Sequence, residues 1–577
     1  MREKSGLAAI MAAFCVIVIA VVCGVLIVSG IVHSTTPTCR DLCNTRQILR
    51  LPVTYESDLN TLDPAQATDS DSQQFVSLVF PGLVALDQHE QPIPWAAAAL
   101  PTVSADGLTW TFHVRPGLKW SDGAPINAAT YAYSLDRAEN PCNSLAAAYY
   151  LYPIKDAQAF NSEKCSANLT PNGHIQTLIG DSITTPDPLT LQITLAQPAT
   201  YFLVAMASSP SYAVPEQIVS KYGSDFRSQW TDHLTDNGGF GGNLFKVTQW
   251  NHRGDLILKA NLNFWGKKPT LREIDVTFYP DASTAYRDFQ AGKLDVGYAP
   301  LAQLKQAQTH KTFHQIAIPV IDYYALNWTI APFDDIRMRQ AFAIALNKQA
   351  LAQTYGQGSV IATNHIIPDG TPGYNPYLVG PDGTNNLTGN IALANQLATQ
   401  YAAATHCGTA TDFSKCPPVF LAIYDVGTVA QQEADAAVVM WRKAMPNYPV
   451  RAGYPGDGFQ AVGTPPPPMV DSGWIQDYPD PQDWLSTNLT CDSHDNLGSA
   501  CDPQADALLR AADANPNQYV RLQQYQQAEQ SLVNEVAWLP LDQGTTWWET
   551  GPHIQNFTKD NSGLTPFEAW QSMYVTG

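Results

Sequence analysis

The stretch "VSADGLTWTFHVRPGLKWSDGAPINA" (residues 103–128) sets the reading of the chain. Within it Trp110, Phe112 and Val114 alternate with Thr109, Thr111 and His113. Successive side chains of a strand point to opposite faces, so this alternation predicts a strand with one buried and one wet face. Asp106-Gly107 and Pro116-Gly117 bound it as turns. Downstream, "LFKVTQWNHRGDLILKANLNFW" (244–265) alternates on both sides of Asn251–Asp255 and predicts a hairpin. Arg253-Gly254-Asp255 at its tip matches a cell-adhesion tripeptide and is read as turn chemistry reached by chance.

Helices are equally legible. In "PFDDIRMRQAFAIALNKQAL" (332–351), Asp334 or Asp335 is placed to cap a helix whose Met338, Ala341, Phe342 and Ala345 share one face. Leu522, Tyr525, Ala528 and Leu532 form a second such stripe in "YVRLQQYQQAEQSLVNEV" (519–536). Strands and helices interleave without strict alternation, which predicts α/β architecture with mixed sheets and not a barrel.

A chain of 577 residues exceeds what one core fills, so two or three lobes are expected. Asp and Glu outnumber Lys and Arg by 52 to 32, and a net charge of -20 without a basic run speaks against nucleic acid as a partner. The first 34 residues carry an uncharged apolar run from Gly6 to Val32, long enough to span a bilayer. An uncleaved anchor and a signal segment cleaved after a small-residue site at Val32-His33-Ser34 both remain open. Either way the rest of the chain faces outside the cell.

Beyond Cys15 and Cys23 in that run, eight cysteines fall into local pairs: Cys39/Cys43, Cys142/Cys165, Cys407/Cys416 and Cys491/Cys501. Close pairs in an extracytoplasmic chain read as disulfides stapling loops. No CxxC or neighbouring histidine suggests zinc. His310 and His314 have the spacing of metal ligands on a helix but lack a third partner, and read as surface residues. There is no nucleophile elbow, zinc-protease motif, phosphate loop or dinucleotide fingerprint, so neither an enzyme nor a cofactor is expected.

The stretch "WIQDYPDP" (474–481) follows the proline-rich "GTPPPPMV" (463–470) and holds Asp477 and Asp480 between prolines and aromatic rings. On its own it reads as a turn. With "LDPAQATDSDS" (62–72), "FPGLVALD" (80–87), "YSLDRAENP" (133–141), "FWGKKPTLREIDVTFYPDASTAYRDFQAGKLDVG" (264–297) and "IIPDGTPGYN" (366–375), it belongs to an ordered set of blocks. In that order they resemble the extracytoplasmic solute-binding proteins of the peptide/nickel family, the oligopeptide- and dipeptide-binding proteins of ABC importers.

The resemblance implies a periplasmic-binding-protein-like fold closing around its ligand in a cleft between lobes. Lobe I would comprise 51–80, 196–315 and 540–577, an inserted lobe II 81–195, and lobe III 316–539, after a segment 1–34 and a stalk 35–50. It implies that Asp477, in the place of the family's W-x-x-D aspartate, pairs with the α-amino group of a bound peptide, with Trp474 and Tyr478 as walls. Gln476 stands where relatives carry a small residue, and "GGFGGNLF" (238–245) replaces a Gly-Thr-Gly-Pro-Tyr-like turn. By block position alone, Asp71, Tyr323 and Asn327 are further cleft candidates. The implied partners are a short peptide, or alternatively an oligosaccharide or metal complex within the same fold, and a permease with its ATPase; a monomer is expected. A ligand sensor without transport is the reading from another class.

Overall fold

The computed structural model describes residues 46–576 except 144, 146, 166–176, 224–229, 425–427 and 456–466. The apolar run, the Cys39/Cys43 pair, most of the stalk and residues 463–466 of the proline-rich stretch lie outside the described residues. Among the described residues no helix is long and apolar enough to cross a membrane.

Three main sheets carry the fold. In the first, Ile48–Thr54 runs parallel to Glu273–Tyr279, which pairs antiparallel with Asp255–Ala260 and through it with Phe245–Asn251. Its first strand begins inside the span read as stalk (35–50), because Leu49 is fully buried and pairs with Ile274. The predicted hairpin forms the outer edge, and the Asp255 carboxylate accepts hydrogen bonds from Gln249 and Asn251. Its charge is therefore used in holding the turn. The second sheet orders Thr102–Val103, Thr109–His113, Thr190–Thr194 and Ile183–Asp187. As the alternation requires, Trp110 and Phe112 are buried while His113 is exposed.

The third sheet has seven strands, ordered Val296–Gly297, Trp538–Thr550, Phe313–Leu326, Met469–Ile475, Val419–Ala422 and Val450–Gly453, with Val360–Ala362 alongside Trp538–Thr550. Val419–Ala422 pairs parallel on both sides and the other pairs are antiparallel, so the sheet is mixed. The helix Ile336–Ala345 starts at Asp335, whose side chain accepts the Arg337 N–H at 2.9 Å. In the helix Gln518–Glu535 the predicted stripe is buried except for half-buried Leu522, and two charged residues join it. Arg521 pairs with Asp480, and Glu529 accepts the Ile366 and Ile367 N–H groups at 3.0 and 2.9 Å. Periodicity misses such residues because a buried charge is tolerated where its partners are fixed.

One apolar core runs from Leu49 to Val296 and closes with Trp548, Ile554, Trp570 and Met573. Segments 51–80, 81–195 and 196–315 thus share a continuous core. Two further cores cover the seven-stranded sheet, one around Tyr324 and Trp441, the other around Tyr323 and Trp538. The long antiparallel pair Phe313–Leu326 and Trp538–Thr550 passes between these bodies, with Trp548 in the first core and Leu541 in the second. Its register slips between Ala317 and Ile321, where the chain changes body. His310 and His314 do not share a helix: His310 meets Glu549 at 2.8 Å, and His314 stacks on Trp548 within the strand.

Disulfides join Cys142 to Cys165, Cys407 to Cys416 and Cys491 to Cys501. The first closes the longest loop, with a separation of 23 residues. Replacing both of its cysteines with serine is expected to lower unfolding free energy by about 3 kcal/mol, read as a fall in the urea midpoint. An unchanged midpoint would contradict that crosslink.

Candidate functional site

The strand Met469–Ile475 leaves its sheet at Gln476, whose N–H donates to the Pro319 carbonyl at 3.0 Å. Five residues later the chain enters the helix Pro481–Leu489, and Asp480 is its cap, accepting the Gln482 N–H at 2.9 Å. The Asp480 carboxylate also pairs with Arg521, both side chains being buried. Asp480 is thus the anchor of the loop. With both ends fixed, the intervening Asp477 has few conformations to lose on binding a ligand.

Asp477 is half-buried. Its carboxylate accepts hydrogen bonds from the hydroxyls of Tyr149, at 2.7 Å, and Tyr150. Behind it, fully buried Asp483 accepts the Asp477 N–H at 3.0 Å and the Trp474 Nε1–H at 3.4 Å. Burial, reinforced by the Asp477 charge, pushes the Asp483 carboxyl well above its usual range. Burial raises Asp477 to about 6, with hydrogen bonds from Tyr150, Tyr149 and Asp483 opposing the rise. At neutral pH, therefore, Asp477 carries negative charge.

Two adjoining open cavities, of about 110 and 250 Å³, meet at Gln73, Gln476, Asp477, Ser562 and Leu564. One wall is the helix Ser70–Val79 and the tail around Ser562, from the first body; the other is Ile318–Val320 and Trp474–Asp477, from the seven-stranded sheet. Among the described residues lining them, the charged ones are Asp477 and Asp560, both acids. Burial and the neighbouring Glu90 push Asp560 up to about 7.

Asp477, Trp474, Gln476 and Tyr478 are thus brought together. Gln476 is oriented by the Thr371 hydroxyl at 3.0 Å. Tyr478 is mostly buried, donates to Gln482 and stacks parallel to Tyr201. Asp71 stands beside the cavity, one residue from Ser70 and two from Gln73, on the first turn of the capped helix. Its side chain is reached by solvent, yet crowding by protein and the Asp69 charge raise it to about 6.

Tyr323 and Asn327 lie elsewhere. Val320 lines the cavity, and Tyr323, three positions on, points to the opposite face, where it stacks on Trp538 at 3.7 Å. Asn327 is buried and accepts hydrogen bonds from the backbone and hydroxyl of Thr329. Neither lines the two cavities. Asn243 holds Trp95 and the Ser77 carbonyl inside the first body. Tyr149 and Tyr150, in the aromatic run "YYLY" (149–152), and the 560–567 tail are not among the residues to which the sequence points. The adjacent tyrosines were the available signal; the tail has no motif.

The comparisons fit this geometry. Residues 91–496 match the family described as "Bacterial extracellular solute-binding proteins, family 5 Middle". The chain belongs to this family. It is 25% identical to the oligopeptide-binding protein OppA of Bacillus subtilis over 527 residues, covering 90% of this chain and 91% of that protein. The fold is similar to the unliganded open form of the periplasmic murein tripeptide-binding protein MppA of Escherichia coli, with a TM-score of 0.74, 21% identity and coverage of 94% and 99%. It is also similar to Listeria monocytogenes OppA bound to peptide, with a TM-score of 0.67, 22% identity and coverage of 92% and 100%. The family 5 chain therefore has the solute-binding fold, with sheets in separate bodies and a cleft between them.

Proposed function

We propose that the protein captures short peptides in this cleft, holds the ligand's α-ammonium group on Asp477 and delivers the peptide to the permease of an ABC importer. The observation that carries the reading is one ionised carboxylate, flanked by two tyrosine hydroxyls, at the junction of two cavities whose described lining holds no cation. A charge pair in such a low-dielectric place is stronger than one in water. The names of the B. subtilis and L. monocytogenes relatives support a peptide ligand.

In this reading 51–80, 196–315 and 540–577 form lobe I, 81–195 the inserted lobe II and 316–539 lobe III, with the long strand pair as the hinge. The apolar run near the start tethers a monomer to the outer face of the membrane. The protein catalyses no reaction. Stacking on sugar faces is less well supported, because Trp474 is the one tryptophan among the described lining residues, whereas Trp120, Trp230, Trp441, Trp484, Trp538 and Trp570 are fully buried.

Calorimetric titration with a free tetrapeptide and its N-acetylated form tests the reading: tight binding of the first and weak binding of the second is expected. Equal affinity would contradict it. The pH dependence follows from the Asp477 shift. The charged carboxylate binds, so affinity for a free-amine peptide falls as pH drops through about 6. It falls again above about 8, where the α-amino group loses its proton. Each limb approaches about tenfold per pH unit. A profile flat from pH 5 to 7 would exclude Asp477 as the partner.

A further inference from the structure

We propose that Asp560, on the wall of the cleft opposite Asp477, is a specificity-determining residue that receives a lysine or arginine side chain carried near the amino terminus of the bound peptide. This rests on the peptide reading above and narrows it to a class of peptide.

The two acids share one cavity but come from different bodies. Asp477 and Asp560 both line the cavity of about 110 Å³. Asp477 arrives on the loop after the strand Met469–Ile475, and Asp560 on the tail whose Trp570 and Met573 belong to the first core. The other polar groups around them are uncharged, Gln73, Gln476 and Ser562 among them. Because the acids line the same cavity, a group that meets Asp560 lies within a side chain's reach of an α-ammonium held on Asp477. A cation at each would tie one wall of the cleft to the other.

The tail holds the Asp560 carboxylate in place. The Asp560 N–H donates to the Leu564 carbonyl at 2.8 Å, and Leu564 returns its N–H to Asp560 Oδ1 at 3.0 Å. Gly563 closes this turn with a φ of 78°, and a Cβ there would fall 3.2 Å from Ile318 Cγ2, so the turn rests against the other wall. Gln74 clamps the next residue, accepting the Thr565 N–H at 2.7 Å and donating to the Thr565 carbonyl at 3.3 Å. Ser562 donates to buried Glu90. A carboxylate fixed in this way loses little freedom when a ligand arrives.

The local field favours a cation. Lys559 is the neighbouring base, and it directs its Nζ to the Gly563 carbonyl at 2.5 Å and lies 5.6 Å from the centre of the Tyr298 ring. Its charge lowers the Asp560 carboxyl, but the Glu90 charge raises it more, and burial raises it further. The same lysine also acts on Asp71. One base is thus shared among several acids, and an arriving ammonium or guanidinium group would draw Asp560 into its ionised form.

Calorimetry on the full chain in mild detergent tests this with tetra-alanine peptides in which lysine, norleucine or glutamate replaces the first or the second residue. At one of these positions lysine is expected to bind about tenfold tighter than norleucine, and glutamate more weakly than either. Asp560→Asn keeps an oxygen for the Leu564 N–H and removes the charge; Asp560→Ser keeps a shorter acceptor. Each variant, checked by its urea midpoint, is expected to bring the lysine-to-norleucine affinity ratio close to one. If lysine and norleucine peptides bind alike at both positions, or if the preference survives both variants, the assignment of Asp560 is overturned. If no free-amine peptide binds at all, the peptide reading itself fails, and this assignment with it.

Discussion

Asp477→Asn is expected to lower affinity for peptides with a free amino terminus by about 100-fold or more, corresponding to about 2.7 kcal/mol. The substitution keeps the shape but removes the charge that meets the ammonium group, and its amide oxygen accepts from one of the Tyr149 and Tyr150 hydroxyls where the carboxylate accepts from both. Truncating one partner of a desolvated, hydrogen-bonded charge pair ordinarily costs about 2–5 kcal/mol, and the loss appears mainly in the dissociation rate. Acetylating the peptide removes the other partner. The two changes should therefore not add: the variant should bind free and acetylated peptides with similar, weak affinity. Additive losses would mean that Asp477 and the amino terminus do not meet.

Arg521→Ala should act oppositely, on folding. It leaves Asp480 buried without its cation and removes a donor to the Tyr525 hydroxyl. Breaking a buried pair from one side costs about 3–5 kcal/mol, so a large fall in the urea midpoint is expected. Asp477→Asn should leave that midpoint unchanged or raise it. The sign follows from linkage: a carboxyl raised by folding destabilises the folded state fully at pH above its folded value, and that cost declines as pH falls below this value and is gone below the unfolded one. Equal destabilisation by both variants would make Asp477 a structural residue like Asp480.

The elements legible in the sequence are those set by local patterns. The strand around Trp110 and Phe112, the hairpin at Asn251–Asp255 and the helix capped by Asp335 each depend on neighbours a few positions away. Trp474, Gln476, Asp477 and Tyr478 were found together because one short loop carries them. Tyr149 and Tyr150 were not, since they reach Asp477 across 328 and 327 residues of chain. Tyr323 and Asn327 show the limit of assignment by block position. In a strand covered on both faces, hydrophobicity does not say which side meets the cleft, and one position reverses every side chain.

The most direct measurement is native mass spectrometry of the full chain, purified in mild detergent and incubated with an equimolar pool of short peptides and oligosaccharides. Adducts with peptide masses on the native protein, and their loss in Asp477→Asn at unchanged folding, are expected. Adducts with sugar masses, or the same peptides retained by Asp477→Asn, would contradict the peptide reading.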